Sequence, residues 1–553
     1  MKKHLLTCFL LPLMIGIGSP SSAWSKVAES PPAGEFQSPA FLRGGDARPD
    51  TFEKSSEQGM IYLEIASTHP PDTLWITYWE HLLSDTPAVT PGREIPIQGQ
   101  KGTFFEGSSG SKVFAWELPD LDRGYVSISD GKTELIHQWA FWKGDRLRMR
   151  IDLERGSTLF GGPQAEFYKT QYLLDRQFQE EKFNSSPILM APSIEALDSD
   201  PVFQQAYQKA KAQASDIRLS LKILAPEENG WAHLTESIQN PMTHHPAWNI
   251  LRQADPNLTA QQKALLSSRI WGGILSVSTQ RAESLVGQLQ ADSAKAAEFF
   301  RWSDQLKQEE KLETSHPLLV QSLTKLEIIR SKISGEEVLS LLQTYPDDIR
   351  DELLGYFILS NYNRLQGKLE SYLLASLRTV ETPWIRERLE GLADTQLGTF
   401  VSEGLFDAEG NSVNLGAFEG KTVLLHFWIS GCKFCRDDFQ RVLQPLQDLV
   451  AGREDIILVT VNADGREDTW KSSLASDQYT TAQFLNLRAE KGAGILERYS
   501  IHSFPQKIIL RPDHRIKLQS LDRMEAQALL DCLSTSADQS SLAFSFTINP
   551  NNP

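Results

Sequence analysis

Four cysteines in 553 residues are too few for a disulfide-stapled scaffold. A chain this long takes its stability from apolar cores, and at roughly 100–200 residues per domain it holds several of them. Positive charge is the second shortage. Lys and Arg number 55 against 71 Asp and Glu, for a formal net charge of −16. Such a surface repels nucleic acid and anionic membranes, and no Lys/Arg run offsets it, so neither is expected as a partner. The third shortage is long apolar runs. Leu5–Ile17 is too short for a confident membrane span. It follows Lys2 and Lys3 and precedes Ser21-Ser22-Ala23, which is the pattern of an export signal over residues 1–23, either cleaved or kept as an anchor. Export places the chain in the periplasm or cell envelope, with no membrane span after the signal is removed. Cleavage removes Cys8 and two lysines, leaving three cysteines and a formal charge of about −18.

What is present changes along the chain. Residues 24–59 are rich in Ser, Pro, Gly and Glu and read as a linker. Residues 60–158 carry short alternating runs (Met60–Ala66, Thr73–Trp79, Lys112–Leu118, Tyr125–Ser129, Leu135–Trp142, Leu147–Leu153) parted by turns. This is the pattern of an antiparallel sandwich or open barrel. Its aromatics (Trp75, Tyr78, Trp79, Trp116, Trp139, Phe141, Trp142) either pack the core or line a cleft. Residues 159–392 turn to helical spacing, with helices expected at Ala165–Phe183, Pro201–Ile223, Thr259–Val277, Thr279–Lys307, Pro317–Ser334 and onward to Pro383–Leu392. His233, His244 and His245 fall in a Pro- and Asn-rich stretch without ligand spacing; it reads as a surface loop, and no metal is expected there.

The chemistry lies in residues 393–535, before a tail at 536–553. Val423–Trp428 is an apolar run of β-formers, followed by the turn Ser430-Gly431 and by helical spacing through Phe439, Val442, Leu443 and Leu446. Cys432 therefore opens a helix and Cys435 sits one turn in, close enough to form a small disulfide ring. A helix N-terminus stabilises an anion, so a lowered thiol pKa is expected for Cys432, with Lys433 acting in the same direction. Ile456–Val461 is a second near-continuous apolar run, which implies a parallel pair buried on both faces. Lys507–Leu510 and Arg515–Leu521 read as a hairpin, and Glu525–Leu533 as the last helix, where Cys532 packs among leucines.

Leu405-Phe-Asp-Ala-Glu-Gly410, Val423-Leu-Leu-His-Phe-Trp428, Cys432-Lys-Phe-Cys435 and Tyr499-Ser-Ile-His-Ser-Phe-Pro505 together resemble the TlpA-like branch of the thioredoxin-fold thiol–disulfide oxidoreductases. The resemblance covers only the C-terminal quarter. It implies a C-terminal α/β thioredoxin-like domain, which with the patterning upstream gives a multi-domain chain: an N-terminal antiparallel β domain, a central all-α region and that C-terminal domain. It also implies Cys432 as the attacking thiolate, Cys435 as the buried resolving thiol, and Trp428 as the family's aromatic at the strand end. Pro505 matches the family's cis-proline, with Phe504 presenting backbone to an extended substrate.

Four positions depart from the family. His426 stands where thioredoxins carry a buried acid, and either relays the Cys435 proton or is a hydrogen-bonded core histidine. Asp438 falls on the family's Glu, as a second proton acceptor or a first-turn acid favouring the helix dipole. Gln440 replaces a proline, so the helix is expected to lack the family's kink. Gly431 replaces a bulky residue. The expected function is a periplasmic thiol–disulfide oxidoreductase without cofactor, working in the reducing direction on protein disulfides or dithiols and recharged by an upstream membrane-bound or periplasmic reductant. A peroxidase is disfavoured because no Thr-and-Pro pattern precedes Cys432. The alternative is an envelope ligand-binding or sensor protein with an accessory redox domain.

Overall fold

The structure, a computed structural model, describes residues 59–534 apart from 103–110, 217–218, 240–241, 310–315, 366–367, 465, 491–493, 500, 502 and 520–523. The export signal, all but the last residue of the linker, and the whole tail lie outside the described residues. By packing, the chain divides into two compact units between Leu341 and Leu342.

The first unit opens with two sheets. One has the order β4-β5-β1-β8-β9, from β1 (Met60–Ala66), β4 (Gln100–Lys101), β5 (Ser111–Glu117), β8 (Arg146–Asp152) and β9 (Ser157–Gly161). The other has the order β3-β2-β6-β7, from β2 (Thr73–Trp79), β3 (Arg93–Gln98), β6 (Arg123–Ser129) and β7 (Glu134–Trp142). One pairing departs from the antiparallel expectation: β1 and β8 run parallel, because the chain between them passes through the other sheet and re-enters from the same end. β3 escapes the sequence reading because Pro96 interrupts it; as an edge strand it tolerates a residue without an N–H. Trp79, Trp116, Trp139 and Phe141 are buried core, with Trp116 edge-on to Phe141 at 5.6 Å. Trp75 is 40% exposed and borders an open cavity of about 470 Å³ with Thr77, Glu94, Ser127, Ser129, Gly131 and Glu134.

The same core continues into α1 (Ala165–Asn184) and α2 (Ala260–Glu283) through Phe167, Leu174, Leu265 and Ile270. α2 starts at a Thr259 capping box and runs through the break expected at Ser278. Ser278 and Thr279 are buried within it, and Thr279 Oγ1 donates to the Ser276 carbonyl, so their hydroxyls do not end the helix. The helix expected from Pro201 to Ile223 stops at Asp216, and β11 (Lys222–Leu224) instead pairs in parallel with β10 (Ile188–Met190). The three-histidine stretch is not a loop but contains a helix at Trp231–Ile238 and a tight turn at Met242–His244. There His245 stacks on Phe178 at 5.5 Å and meets Glu181 at 3.0 Å. Among the described residues no cluster of three metal-ligating side chains is found. α3 (Pro317–Ser334) follows in the same unit.

The second unit begins with α4 (Asp347–Leu365), α5 (Leu369–Thr379) and α6 (Pro383–Gln396). They are held together partly by Asp351, which accepts from the backbone N–H groups of Glu381 and Thr382, each at 2.8 Å. A six-stranded sheet follows in the order β12-β15-β14-β13-β16-β17. Its strands are β12 (Leu405–Phe406), β13 (Thr422–Trp428), β14 (Ile456–Asn462), β15 (Leu485–Ala489), β16 (Gln506–Leu510) and β17 (Ile516–Gln519). β13 is central, parallel to β14 and antiparallel to β16. Its alternate residues serve two cores. Val423, Leu425 and Phe427 join Val459, Val461, Ile508 and Leu510 on one face. Leu424 joins Leu458 and Ile509 on the other, with Phe439, Val442, Leu443 and Leu446 from the stretch that follows α7 (Lys433–Asp438) and with Leu529 and Leu533 from α9 (Ala526–Ser534); α8 (Glu467–Leu474) lies between α7 and α9 in sequence.

Candidate functional site

β13 ends at Trp428 and the chain turns through Ser430 and Gly431 into α7. Gly431 has φ +80°, and a Cβ built there meets nothing within 4 Å. The turn needs glycine for its left-handed backbone, not for close approach. The turn is clamped from one side. The Ser430 N–H donates to both carboxylate oxygens of Asp464 (3.0 and 3.1 Å), and the Gly431 N–H donates to Tyr479 Oη at 2.8 Å. The Tyr479 ring stacks on Trp428, with centroids 4.7 Å apart and planes 9° from parallel. Asp464 is itself oriented by Asn462 Nδ2 at 2.8 Å.

Cys432 is the N-cap of α7, and its Sγ accepts from the Cys435 N–H at 3.1 Å. The two cysteines form a disulfide with Cα atoms 5.3 Å apart. Their surroundings differ. Cys435 is fully buried with Trp428, Trp470 and Tyr479, whereas Cys432 is only part-buried. Lys433 is exposed, and Phe434 presents its ring to solvent at 73% exposure. The Phe504–Pro505 peptide bond is cis, and the Phe504 carbonyl oxygen lies 3.8 Å from Cys432 Sγ. α7 does not run straight on: a π turn at Phe439–Leu443 interrupts it before Gln444–Leu449. A π turn is a local irregularity of its own, at the very place where Gln440 led the sequence to promise an unkinked helix.

Beneath the cysteines lies a buried charged group. His426, on β13, is fully buried, and its Nε2 is 3.3 Å from Asp438 Oδ2. Neither ring nitrogen has a partner with hydrogen-bond geometry among the described residues. Asp438, one turn beyond Cys435 on α7, receives the Lys507 ammonium on its other oxygen at 2.7 Å. Lys507 is also fully buried and lies directly across from His426 in the β13–β16 register. Burial depresses the His426 imidazole below its ordinary value and Lys507 adds to this, together outweighing the pull of Asp438. For Asp438 burial acts upward, but the contacts with His426 and Lys507 win and hold the carboxyl below its usual range.

The structure therefore brings together Cys432, Cys435, Trp428, Phe504, Pro505, His426 and Asp438 from two elements and one loop, with Lys433 at the rim. Asp438 is buried, not a solvated first-turn acid. The sequence reading missed Lys507, Asp464 and Tyr479. A lysine inside Gln506–Leu510, an otherwise apolar strand, was a signal: a buried ammonium requires a counter-ion. Asp464 and Tyr479 carry no such signal.

Residues 420–516 match the thioredoxin-like family model, and the C-terminal domain is thioredoxin-like. No curated protein matches the chain. Among solved structures, a thiol:disulfide interchange protein from Bacteroides sp. is 25% identical over 26% of this chain and 95% of its own, with a TM-score of 0.22. The thioredoxin domain of a thiol-disulfide oxidoreductase from Bacteroides vulgatus is 27% identical over 24% and 94%, with a TM-score of 0.21. The exposed lipoprotein thioredoxin of Streptococcus pneumoniae is 23% identical over 23% and 95%, with a TM-score of 0.21.

Proposed function

We propose that this protein is an exported thiol–disulfide oxidoreductase that reduces protein disulfides through Cys432 and Cys435. One observation carries the reading: the two sulfurs of one disulfide have opposite environments, Cys432 reachable and Cys435 enclosed. In the dithiol form the Cys432 thiolate attacks a client disulfide, forms a mixed disulfide and releases the first client thiolate. Deprotonated Cys435 then attacks Cys432 Sγ, closing the Cys432–Cys435 disulfide and releasing the second thiolate. Two electrons pass to the client, and the two enzyme protons end on its sulfurs. An upstream dithiol must then restore the pair. Pro505 and Phe504 border the attacking sulfur, where an extended client backbone would lie; Phe504 offers its carbonyl oxygen as a hydrogen-bond acceptor. Among the described residues no helix is long and apolar enough to cross a membrane; the export part of the reading rests on Lys2, Lys3 and the apolar run that follows.

Titration in glutathione buffers tests this. The wild type should show one two-electron transition that Cys432→Ser abolishes, at a midpoint more negative than about −200 mV if the protein works as a reductant. Absence of any transition removes the redox reading; a midpoint well above that value reverses the direction.

A second reading, an envelope ligand-binding or sensor protein with an accessory redox domain, draws on the cavity beside Trp75, where an indole face meets hydroxyls and two carboxylates. It requires ligand affinity that Trp75→Ala removes and Cys432→Ser preserves.

A further inference from the structure

The outward face of the β3-β2-β6-β7 sheet carries a site that the cysteine chemistry does not use. It lies in the first unit, the cysteines in the second. The strand register places two rows of side chains across this face. Pro96, Trp75, Ser129 and Glu134 form one row, and Glu94, Thr77 and Ser127 the next. A regular pleat would not give this arrangement. In an unbroken strand Glu134 and Ile136 share a face, yet Ile136 is buried and Glu134 is exposed. Two register shifts between β6 and β7 make the difference, one on each side of the Ile128–Ile136 pair. Beyond Ile136, Gln138 is held in the left-handed region at φ +52°, its N–H donated to Ser127 Oγ at 2.9 Å. Bulges re-aim side chains, and here both Glu134 and His137 come to the outside.

The cavity bordered by these rows is rich in acceptors and poor in donors. Its two carboxylates, Glu94 and Glu134, only accept. The Ser127 hydroxyl is spent on Glu134, and Ser129 Oγ already takes the Gly131 N–H at 2.9 Å. Among the described residues, none that lines the cavity is Lys or Arg. Burial acts upward on the Glu134 carboxyl, but His137, at 2.9 Å, and Ser127 win and hold it below its usual range, so it stays charged. Trp75 stands exposed on β2, between the strands that carry the two glutamates, and an aromatic face attracts a cation. A neutral ligand such as a sugar would desolvate both carboxylates without compensating them. An ammonium only donates, and so complements them. Glu94 and Glu134 lie on the two outer strands of the sheet, about 14 Å apart at the backbone, which suits a ligand charged at both ends.

We infer that this face binds an aliphatic polyamine, its methylene chain lying on the Trp75 indole and its two ammonium ends meeting Glu94 and Glu134. The site gives the ligand-binding reading a ligand class, and it holds whether or not the cysteines act on client proteins.

Calorimetric titration of the full chain with spermidine tests this. One site should be found, weakened about tenfold by Trp75→Ala and about threefold by Glu94→Gln or Glu134→Gln. Butylamine, with one charged end, should bind about threefold more weakly than spermidine. Far-UV circular dichroism checks that each variant is folded. Full affinity in folded Trp75→Ala means that the amine collects on the acidic surface at large, and overturns the proposal. Butylamine binding as tightly as spermidine overturns it too. Should Trp75→Ala fail to fold, the two glutamate variants, both at exposed positions, decide; unchanged affinity in both overturns the proposal. If maltose binds in place of spermidine and Trp75→Ala abolishes that binding, polyamine recognition fails while the ligand-binding reading stands. If neither ligand binds, both fail.

Discussion

The two faces of β13 are made by one strand from alternate residues, yet they do different work. On one face Val423, Leu425 and Phe427 pack with Val459, Val461, Ile508 and Leu510 of β14 and β16, and Gln506 stands opposite Phe427 at the strand end. On the other, the row Leu458–Leu424–Ile509 is apolar, but the next row toward the cysteines is Thr460–His426–Lys507. One step further, at the strand end, stand Trp428 and Asn462. A pleated strand sends successive side chains to opposite faces, so polarity can be concentrated under the helix carrying the cysteines without weakening the opposite core. Stability is built on one side and chemistry on the other.

Breaking the apolar face should have the largest effect on stability and the least on chemistry. Phe427→Ala empties a fully buried site and should cost about 4 kcal/mol in urea unfolding, with the redox midpoint unchanged. A shifted midpoint would mean that the faces are not independent. On the polar face, Asp438→Ala leaves Lys507 buried without a partner and should cost about 3 kcal/mol. The double variant Asp438→Ala/Lys507→Met should recover part of that loss, and strict additivity of the two single variants would argue against the pair.

A smaller effect appears with pH. The folded pKa values of His426 and Asp438 both lie below their ordinary 6.5 and 3.8, so the unfolded chain binds more protons in the acid range. The stability these groups contribute is complete above those ordinary values and falls with pH, first below 6.5 for His426, then below 3.8 for Asp438. Urea midpoints at pH 7.5 and 5.5 should differ more in the wild type than in His426→Asn. Smallest is Tyr479→Phe, which keeps the stack on Trp428 but deprives the Gly431 N–H of its acceptor. About 1 kcal/mol is expected, and amide exchange at Gly431 should quicken with little change elsewhere.

How far the site could be read from sequence depended on how local each signal was. β13, the turn at Gly431 and the opening of α7 follow from one continuous stretch in which periodicity changes from two to 3.6, and the two cysteines sit at that change. Lys507 and Asp438 are 69 residues apart, and in Gln506–Leu510 the apolar run conceals the lysine. Asp464 and Tyr479 lie between β14 and β15, where only the short α8 interrupts irregular chain, so nothing periodic announces them. In the first unit the errors have the same origin. Pro96 masks an edge strand, and the hydroxyls at Ser278 and Thr279 imitate a break that their buried positions and a backbone hydrogen bond remove.

The central claim is the division of labour between the two sulfurs. Reduced Cys435→Ala protein, mixed with glutathione disulfide and mapped by mass spectrometry, should carry one glutathione on Cys432 and retain it, because no resolving thiol remains. In Cys432→Ala the enclosed Cys435 should stay unmodified on the same timescale. Equal modification of Cys435, or none on Cys432, would contradict the account.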